Sequence, residues 1–405
     1  MFERNSLVAG GPPLIDPNSL QADPHPRLAE LRAHHPMVLI GENQFLILRA
    51  DDVLRLLGDP ATRQIEGPEY VALNRVPEGI TRRFQAGFFM FSNGAAHRRI
   101  RGLFATSFAH RPMRALRADI RATADRIVAE LPRDGSFDFL EKMAGRVPAE
   151  MIATVLGLPV DQHRYFAGLV QVVTHAITPI YPHQHHDEIE DATEALFNFV
   201  AHHLELRRVR PGADLLSRLM AEWQSETAIP FDSLVFQIMG LVVAGSDTTR
   251  TGLARMVSLL LERPADWDRL RAEPDLVPGA VAEALRFDPP VGSVTLVAAA
   301  SVRVADTVLP AGSVLTLSVM SALRDPALCA DPDRFDLARA DHPRPHPAFG
   351  LGPHRCLGEV LARIEMEESL SALLADAPGL TLTLAPRMTG LGGLRQITPM
   401  RVARA

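Results

Sequence analysis

One uninterrupted helical pattern constrains the fold of this chain more than any other feature. Between Pro230 and Pro264, residues 232–262 contain no proline and predict a helix about 45 Å long, given the rise per residue of an α-helix. The centre of this helix is apolar on all sides, as Leu234 and Ile238 illustrate. A helix buried on every side crosses the interior of a molecule, so the other elements must pack around it.

The centre of the predicted helix, LVVAGSDTTR at 241–250, contains poor helix formers. Gly245 costs a helix about 1 kcal/mol relative to alanine. A buried Asp247 costs more unless its carboxyl group is hydrogen-bonded or protonated. Taken alone, the stretch fits a packed kink slightly better than a functional site, so its interpretation depends on the rest of the chain.

The remaining periodicity predicts a single domain over 1–405 that is mainly α with a small β-rich portion, an α+β fold. Apolar residues three and four apart indicate helices from 111 to about 222. Runs rich in valine and threonine indicate strands at about 36–50, 290–320 and 378–403.

Charge and composition exclude several classes of function. The formal net charge of −6 gives no whole-protein attraction to nucleic acid. No stretch reaches the roughly 18 uncharged apolar residues of a membrane span, and the first residues lack the pattern of a signal peptide. Because Cys329 and Cys356 are the only cysteines, we expect a protein of the reducing cytoplasm rather than a secreted one.

A second informative stretch is FGLGPHRCLG at 349–358, followed by a helical pattern that we expect to begin at or just after Cys356. Its glycines allow a tight loop and the close approach of another group. A thiolate at a helix start is favoured by the helix dipole and by free N–H groups. An isolated cysteine is more often a small buried hydrophobe, but one thiolate on a glycine-rich loop suits a haem iron.

The spacing Phe-Gly-x-Gly-x-His-x-Cys-x-Gly resembles the haem-binding loop of the cytochrome P450 family. The resemblance implies a haem b (iron protoporphyrin IX) with Cys356 as its axial ligand, and it places Phe349 and Gly350 in the loop that holds the haem. It also implies the fold of that family, in which a long central helix lies over the haem.

On that helix the family carries the motif Ala/Gly-Gly-x-Asp/Glu-Thr, which residues 244–248 resemble. The resemblance implies that Ala244 and Gly245 border the haem, with Gly245 leaving space for dioxygen. It further implies that Asp247 and Thr248 relay protons to the bound oxygen. A threonine hydroxyl can also bind the carbonyl four residues back and loosen the helix.

Further motifs occur in the order of the family. His97 and Arg101 resemble its His-x-x-x-Arg contact to the haem propionates, and His354 matches another propionate contact. By spacing alone, His97 and Arg101 would be a surface pair. Leu296 occupies a position where many relatives have an additional propionate-binding arginine, so the side chain that replaces this arginine is left open.

Glu283 and Arg286 resemble the Glu-x-x-Arg pair that, in the family, ties its helix to the segment before the cysteine loop. By spacing alone, these residues could form a solvated i,i+3 pair. The sequence leaves Arg334 and Arg339 as two candidates for a third member of the network. Cys329, in the same region, is expected to be inert.

The segment YPHQHHDEIED at 181–191 places His183, His185 and His186 beside acidic residues, as a metal site does. Adjacent side chains in a connection between helices do not converge easily on one ion, so we expect a solvated loop. In the family, this region forms a lid over the substrate channel.

Together the motifs imply a haem-thiolate monooxygenase that inserts one oxygen atom from O2 into an apolar small molecule and releases the other as water. No residues remain for a fused electron-transfer module, so we expect a monomer that receives electrons from a ferredoxin. The expected docking face for that partner consists of Arg98, Arg99, Arg111 and Arg114. The expected pocket residues are Phe88, Phe89, Leu241, Ala244, Val291, Val294 and Leu391.

Two other functions remain open at this stage. A peroxide-driven peroxygenase would need no electron donor, although Asp247 and Thr248 favour dioxygen chemistry. A haem-thiolate sensor could keep Cys356 and lack turnover.

Overall fold

The structure, a computed structural model, describes residues 11–178, 180–225 and 229–404. The helices are α1 (Pro24–His34), α2 (Ala50–Gly58), α3 (Gly67–Leu73), α4 (Ile80–Gly87), α5 (Gly94–Ala105), α6 (His110–Ala115), α7 (Arg117–Ala129), α8 (Arg146–Leu156), α9 (His163–Val173), α10 (His186–Val209), α11 (Leu215–Ser225), α12 (Phe231–Leu261), α13 (Pro264–Ala272), α14 (Val277–Phe287), α15 (Val319–Ala322) and α16 (Glu359–Asp376). The strands are β1 (Met37–Gly41), β2 (Gln44–Ile47), β3 (Thr62–Gln64), β4 (Ser136–Asp138), β5 (Val294–Ala298), β6 (Val302–Val304), β7 (Thr307–Leu309), β8 (Val314–Leu317), β9 (Leu380–Leu384), β10 (Met388–Thr389), β11 (Gln396–Ile397) and β12 (Arg401–Arg404).

The largest sheet has the strand order β1-β2-β8-β5-β3, in which only β2 and β8 run parallel. The strands β1, β2 and β5 to β12 fall in the three stretches where the sequence indicated β-structure. Two strands were not foreseen, β3 in this sheet and β4 beside β12. Each has three residues without a recognisable alternation, so only pairing with a distant strand makes them part of a sheet.

The helix predicted at 232–262 is α12, which spans 31 residues without interruption. It packs against α8, α10, α14 and α16, and apolar residues on all its sides belong to the main core. This arrangement confirms that the long apolar helix is the element around which the others pack. Within the ranges that the structure describes, no helix, α12 included, is long and apolar enough to cross a membrane.

A glycine in α12 allows an aromatic ring to touch the helix backbone. A Cβ atom at Gly240 would lie 2.0 Å from Cε2 of Phe88, so any larger residue would collide with this ring. Phe88 also stacks on Phe84 at a centroid distance of 5.5 Å. The segment between α4 and α5 is therefore packed directly onto the central helix.

The Glu283 carboxylate is the centre of a buried network at the end of α14. Glu283 and Arg286 have no exposed side-chain surface, and Arg286 donates through Nε and Nη2 to the two carboxylate oxygens at 2.7 and 2.9 Å. Arg339 donates to the same carboxylate at 3.1 Å. Arg334, the other candidate, is 66% exposed and pairs with Asp336 instead. The third member of the network is therefore Arg339.

The same helix carries the segment that leads to the cysteine loop. Arg286 donates to the carbonyls of Leu323 and Pro332 at 3.0 and 2.8 Å. A Cβ atom at Gly279 would lie 2.4 Å from the carbonyl oxygen of Leu337, so this backbone rests directly on α14. Further along, Nε2 of His346 lies 3.2 Å from the carbonyl oxygen of Ala282. Polar contacts to α14 therefore fix the path of the chain up to the loop.

The two arginine candidates give a matched pair of variants. We expect Arg339→Gln to lower the free energy of unfolding by about 2 kcal/mol or more, because it removes one partner of a buried carboxylate. We expect Arg334→Gln to change it by less than about 0.5 kcal/mol, because that side chain is exposed. Urea denaturation followed by circular dichroism measures both values, and equal effects of the two substitutions would contradict the assignment.

Candidate active site

The cysteine loop folds tightly because two of its glycines have left-handed backbone angles. Gly350 and Gly352 have φ values of 68° and 66°, which residues with a Cβ atom rarely adopt. The N–H of Cys356 donates to the carbonyl of Phe349 at 2.7 Å and closes the loop. The following helix, α16, begins at Glu359 and not at or just after Cys356. The expected helix start was wrong by about one turn, because residues 356–358 complete the loop.

The Cys356 side chain keeps accessible surface although protein surrounds it. The pKa of its thiol is raised, because burial disfavours the thiolate more than the hydrogen bond from the Gly358 backbone favours it. The accessible surface of Cys356 therefore faces a space within the protein rather than bulk water. The surroundings do not by themselves produce a thiolate, whereas a coordinated metal cation would.

The two histidines predicted as propionate contacts, one in this loop and one in α5, stack on each other. The rings of His97 in α5 and His354 have centroids 4.0 Å apart. Burial lowers the pKa of both, that of His354 to about 4, with the charge of Arg101 contributing to each. Both imidazoles are therefore neutral near pH 7, and each ring can still donate through one N–H group.

These side chains fit a bound group that carries carboxylates. Nε2 of His97 is buried and, among the described residues, has no hydrogen-bond partner, which a ligand oxygen would satisfy. Arg101 donates to the carbonyl of Arg355 at 2.5 Å, so its guanidinium is held at the same loop. An arginine and two imidazole donors beside an accessible cysteine are the donor set that a haem with two propionates requires.

Leu296 contributes no charge to this set. It lies in β5 between Gln64 of β3 and Leu315 of β8, is 4% exposed, and belongs to the apolar cluster of the large sheet. Leu351 of the cysteine loop packs against the same cluster. A buried apolar side chain of the sheet core therefore occupies the position where the family resemblance implied an arginine in many relatives.

Ala244 is the exposed position in the middle of the buried central helix. Leu241 to Val243 on one side and Ser246 and Asp247 on the other are buried, whereas Ala244 is exposed and Thr248 is partly exposed. The Thr248 hydroxyl donates to the carbonyl of Ala244 at 2.9 Å. The exposed surface of α12 at this point is therefore a small residue next to a hydroxyl group.

The structure gives Gly245 a packing role. A Cβ atom at Gly245 would lie 3.2 Å from Cδ1 of Ile152 in α8, so the glycine lets these two helices approach closely. The helix stays continuous through this point, although the hydroxyl of Ser246 bonds the carbonyl of Val242 at 2.8 Å. The sequence indicated that a glycine at this point of a buried helix needs a reason. It could not show that Gly245 packs against Ile152 of α8.

Asp247 is paired with a residue that the sequence reading did not single out. It is 9% exposed, and Arg250 donates through Nε to its Oδ1 at 2.5 Å. The i,i+3 spacing of an acid and a base on one helix was the available signal. The ion pair with Arg250 therefore engages one carboxylate oxygen of Asp247.

Contacts between side chains connect the central helix to the cysteine loop. Gln237 of α12 accepts from the N–H of Phe89 at 2.8 Å and donates to the carbonyl of Gly87 at 2.9 Å. The Phe89 ring lies 5.9 Å from that of His97, which stacks on His354. A series of contacts therefore joins α12, at Gln237, to the cysteine loop, at His354.

The predicted pocket residues lie on three different segments. Phe88 and Phe89 are buried between α4 and α5, and Leu241 is buried in α12. Val291 forms an isolated bridge with Leu394. This bridge joins the chain after α14 to the C-terminal hairpin, which β10 and β11 form over residues 388–397. The pocket residues here are Val291 and Val294 on the first stretch and Leu391 on the hairpin.

The histidines of the 181–191 segment make local contacts. Nε2 of His183 lies 2.8 Å from the carbonyl oxygen of Asn74, and Nδ1 of His186 lies 2.8 Å from the hydroxyl of Tyr181. Across the described part of the chain, no group of three histidine, cysteine or acidic residues could hold a metal ion. These contacts tie the segment to the end of α3.

Comparison with known proteins agrees with this site. The family model described as "Cytochrome P450" matches residues 69–376. The chain is 39% identical to cytochrome P450-pinF1, plant-inducible, from Rhizobium radiobacter, over 96% of this chain and 93% of that protein. It is 34% identical to nocardicin C N-oxygenase from Nocardia uniformis subsp. tsuyamanensis, over 92% of both chains.

Solved structures show the same fold. The crystal structure of CalO2 superposes with a TM-score of 0.89 at 26% sequence identity, covering 97% of this chain and 99% of the other. The CxnD enzyme for C–S bond formation in chuangxinmycin biosynthesis superposes with a TM-score of 0.86 at 25% identity, covering 96% and 98%. The chain therefore belongs to the cytochrome P450 family of haem-dependent monooxygenases, in which a cysteine thiolate is the axial ligand of the iron.

Proposed function

We propose that Cys356 is the thiolate ligand and that the protein oxygenates an apolar small molecule in the space between α12 and the cysteine loop. The observation that carries this proposal is the pattern of exposure. Cys356 keeps accessible surface in a desolvated setting, and Ala244 keeps it on a helix that is otherwise buried. We infer that these two exposed surfaces border the space that a flat cofactor and a substrate would share.

The haem, when bound, supplies the one-electron and O2 chemistry of the reaction. We propose that Cys356 and the loop residues Phe349 and Gly350 hold it on one side. Ala244 and Gly245 of α12 border it on the other side. His97, Arg101 and His354 bind its propionates, and the orphaned Nε2 of buried His97 supports this assignment. Leu296 leaves these three as the proposed propionate donors.

We propose that Thr248 and Asp247 deliver protons to the oxygen site. The Thr248 hydroxyl donates to the Ala244 carbonyl, so its oxygen can accept a hydrogen bond from a water molecule. Rotation of the hydroxyl would pass a proton onward, and Asp247 would resupply it. The burial of this helix keeps bulk water from the site.

The substrate class follows from the side chains proposed as pocket walls. Phe88, Phe89, Leu241, Val291 and Leu391 are apolar and buried or partly buried, so the binding free energy comes from burial of apolar surface. We infer a small or medium hydrophobic molecule. Relatives named for the oxygenation of natural products, such as nocardicin C N-oxygenase, are compatible with such a substrate.

Family membership implies a redox partner, and we propose that it is a ferredoxin. Arg98 in α5 and Arg111 and Arg114 in α6 are exposed. Arg98 lies on the same helix as Arg101, whose guanidinium reaches the cysteine loop, and α6 is the next helix along the chain. A basic face complements the acidic surface of a ferredoxin and speeds its association. We further propose that the protein is a cytoplasmic monomer, consistent with its having only two cysteines.

The two cysteines provide the experiment that tests the ligand. We expect the reduced, carbon monoxide-bound protein to show the strong red shift of thiolate ligation, and Cys356→Ala to lose it. The matched control is Cys329→Ala, because Cys329 is buried beside Arg286 and away from the loop. The absorption spectrum measures both, and a red shift that survives in Cys356→Ala would disprove the assignment.

The relay is tested by two hydroxyls on opposite faces of one helix. We expect Thr248→Ala to lower the ratio of product formed to reductant consumed by roughly tenfold or more, because a positioned proton donor is lost. Ser246→Ala removes a hydroxyl with the same type of carbonyl bond on the buried face and should leave the ratio unchanged. Reductant consumption and product yield give this ratio, and equal ratios in the two variants would argue against a relay.

The docking face is tested by charge reversal. We expect Arg111→Glu combined with Arg114→Glu to slow reduction by a ferredoxin roughly tenfold at low ionic strength, with the difference shrinking as salt screens the charges. Arg208→Glu, an exposed arginine of α10, is the control. Stopped-flow reduction over a salt series measures the effect, and an unchanged rate and salt dependence would exclude this face.

A further inference from the structure

Asp288 lies one residue after α14 and is surrounded by basic groups from distant parts of the chain. Its side chain is 4% exposed, and it accepts from Nε2 of His25 at 2.9 Å and from Nε of Arg255 at 2.6 Å. A third ion pair joins it to Arg395. Burial alone would raise the pKa of Asp288, but the His25 hydrogen bond and the charges of Arg395 and Arg255 hold it far below its usual range. The carboxylate is therefore a permanent buried anion.

Arg395 differs from the other two partners because its guanidinium also binds the backbone of the C-terminal hairpin. It donates through Nε to the carbonyl of Gly390 and through Nη2 to that of Met388, both at 3.2 Å. It also donates through Nη1 to the carbonyl of Pro289 at 3.3 Å. One planar cation, 2% exposed, therefore joins the hairpin to the residue that follows Asp288.

Backbone hydrogen bonds continue the same connection. The N–H of Arg395 donates to the carbonyl of Pro290 at 2.9 Å, and the N–H of Gly292 donates to that of Gly393 at 3.0 Å. A Cβ atom at Gly292 would lie 2.8 Å from the carbonyl oxygen of Leu391. Between these contacts lie Val291 and Leu391, two of the proposed pocket residues. Their relative position is therefore set by the contacts that Arg395 organises.

We propose that Arg395, anchored by Asp288, is a positioning residue that determines which substrate shapes the pocket accepts. This inference rests on the proposed function only in that Val291 and Leu391 line the substrate pocket. His25 and Arg255 bind the same carboxylate but form no hydrogen bond or ion pair with the hairpin among the described residues. The planar fork of Arg395 is needed, because a lysine ammonium cannot bind three carbonyls and a carboxylate in these directions.

The experiment compares Arg395→Gln and Arg395→Lys with Arg255→Gln in haem-loaded protein. Spectral titration with the isomers of phenylimidazole, which share an iron-binding nitrogen and differ in shape, gives the affinity of each isomer without turnover. We expect both Arg395 variants to change the ratio of affinities between isomers by about tenfold, the effect of a misplaced apolar wall. Arg255→Gln should keep the ratio within about twofold of the unchanged protein, since only charge pairing is lost.

Thermal unfolding and the carbon monoxide spectrum of each variant distinguish a positioning role of Arg395 from a general loss of stability or of haem ligation. Similar losses of thermal stability in Arg395→Gln and Arg255→Gln, with altered isomer ratios only in the former, support positioning. Equal isomer ratios in all three variants, or rescue by lysine, would overturn it. If no isomer binds the unsubstituted protein, the proposed pocket itself is wrong, whatever the role of Arg395.

A second variant keeps the proposal testable if Arg395→Gln does not fold. Gly292→Ala removes no charge, but its Cβ atom would press on the Leu391 carbonyl and on the Arg395 side chain and so displace the same hairpin. We expect the isomer ratio to shift in this variant as well. A folded Gly292→Ala protein with unchanged isomer ratios would show that the position of the hairpin does not control the pocket.

Discussion

The ion pair between Glu283 and Arg286 is the interaction on which the arrangement around the cysteine depends. Both side chains are removed from solvent, and their remaining hydrogen-bonding capacity is filled by Arg339 and by backbone carbonyls of the segment from Leu323 to Arg334. A buried charge without its partners would be strongly unfavourable. The segment before the cysteine loop therefore has little freedom to take another path over α14.

A second carboxylate, Asp288, lies five residues after Glu283, just beyond the end of α14, and holds another segment in place. Glu283 fixes the approach to Cys356, and Asp288 with Arg395 fixes the C-terminal hairpin. Both are buried anions that are satisfied by arginine rather than by lysine, which suits a planar cation with several donors. The C-terminal end of α14 and the residue after it thus set the positions of the cysteine loop and of a proposed pocket wall.

The central helix combines two opposing demands. Packing requires close contacts at Gly240 and Gly245, where Phe88 and Ile152 touch its surface. The site requires a stretch that is not covered, and Ala244 and Thr248 provide it. Asp247, next to this stretch, is paired with Arg250 through Oδ1, so the arginine holds one oxygen of the proposed proton donor in place.

The long apolar helix, the glycine-rich loop before Cys356 and the α+β character could be predicted from the sequence, because each depends on local periodicity or on glycine spacing. The sequence also indicated that residues 244–248 were unusual, since poor helix formers in a buried helix need a reason. Only the tertiary structure decided between Arg339 and Arg334, paired Arg250 with Asp247, stacked His97 on His354 and joined Arg395 to Asp288. Such partners are far apart in sequence or have equivalent local spacing, and their choice depends on which surfaces the packed helices bring together and remove from water.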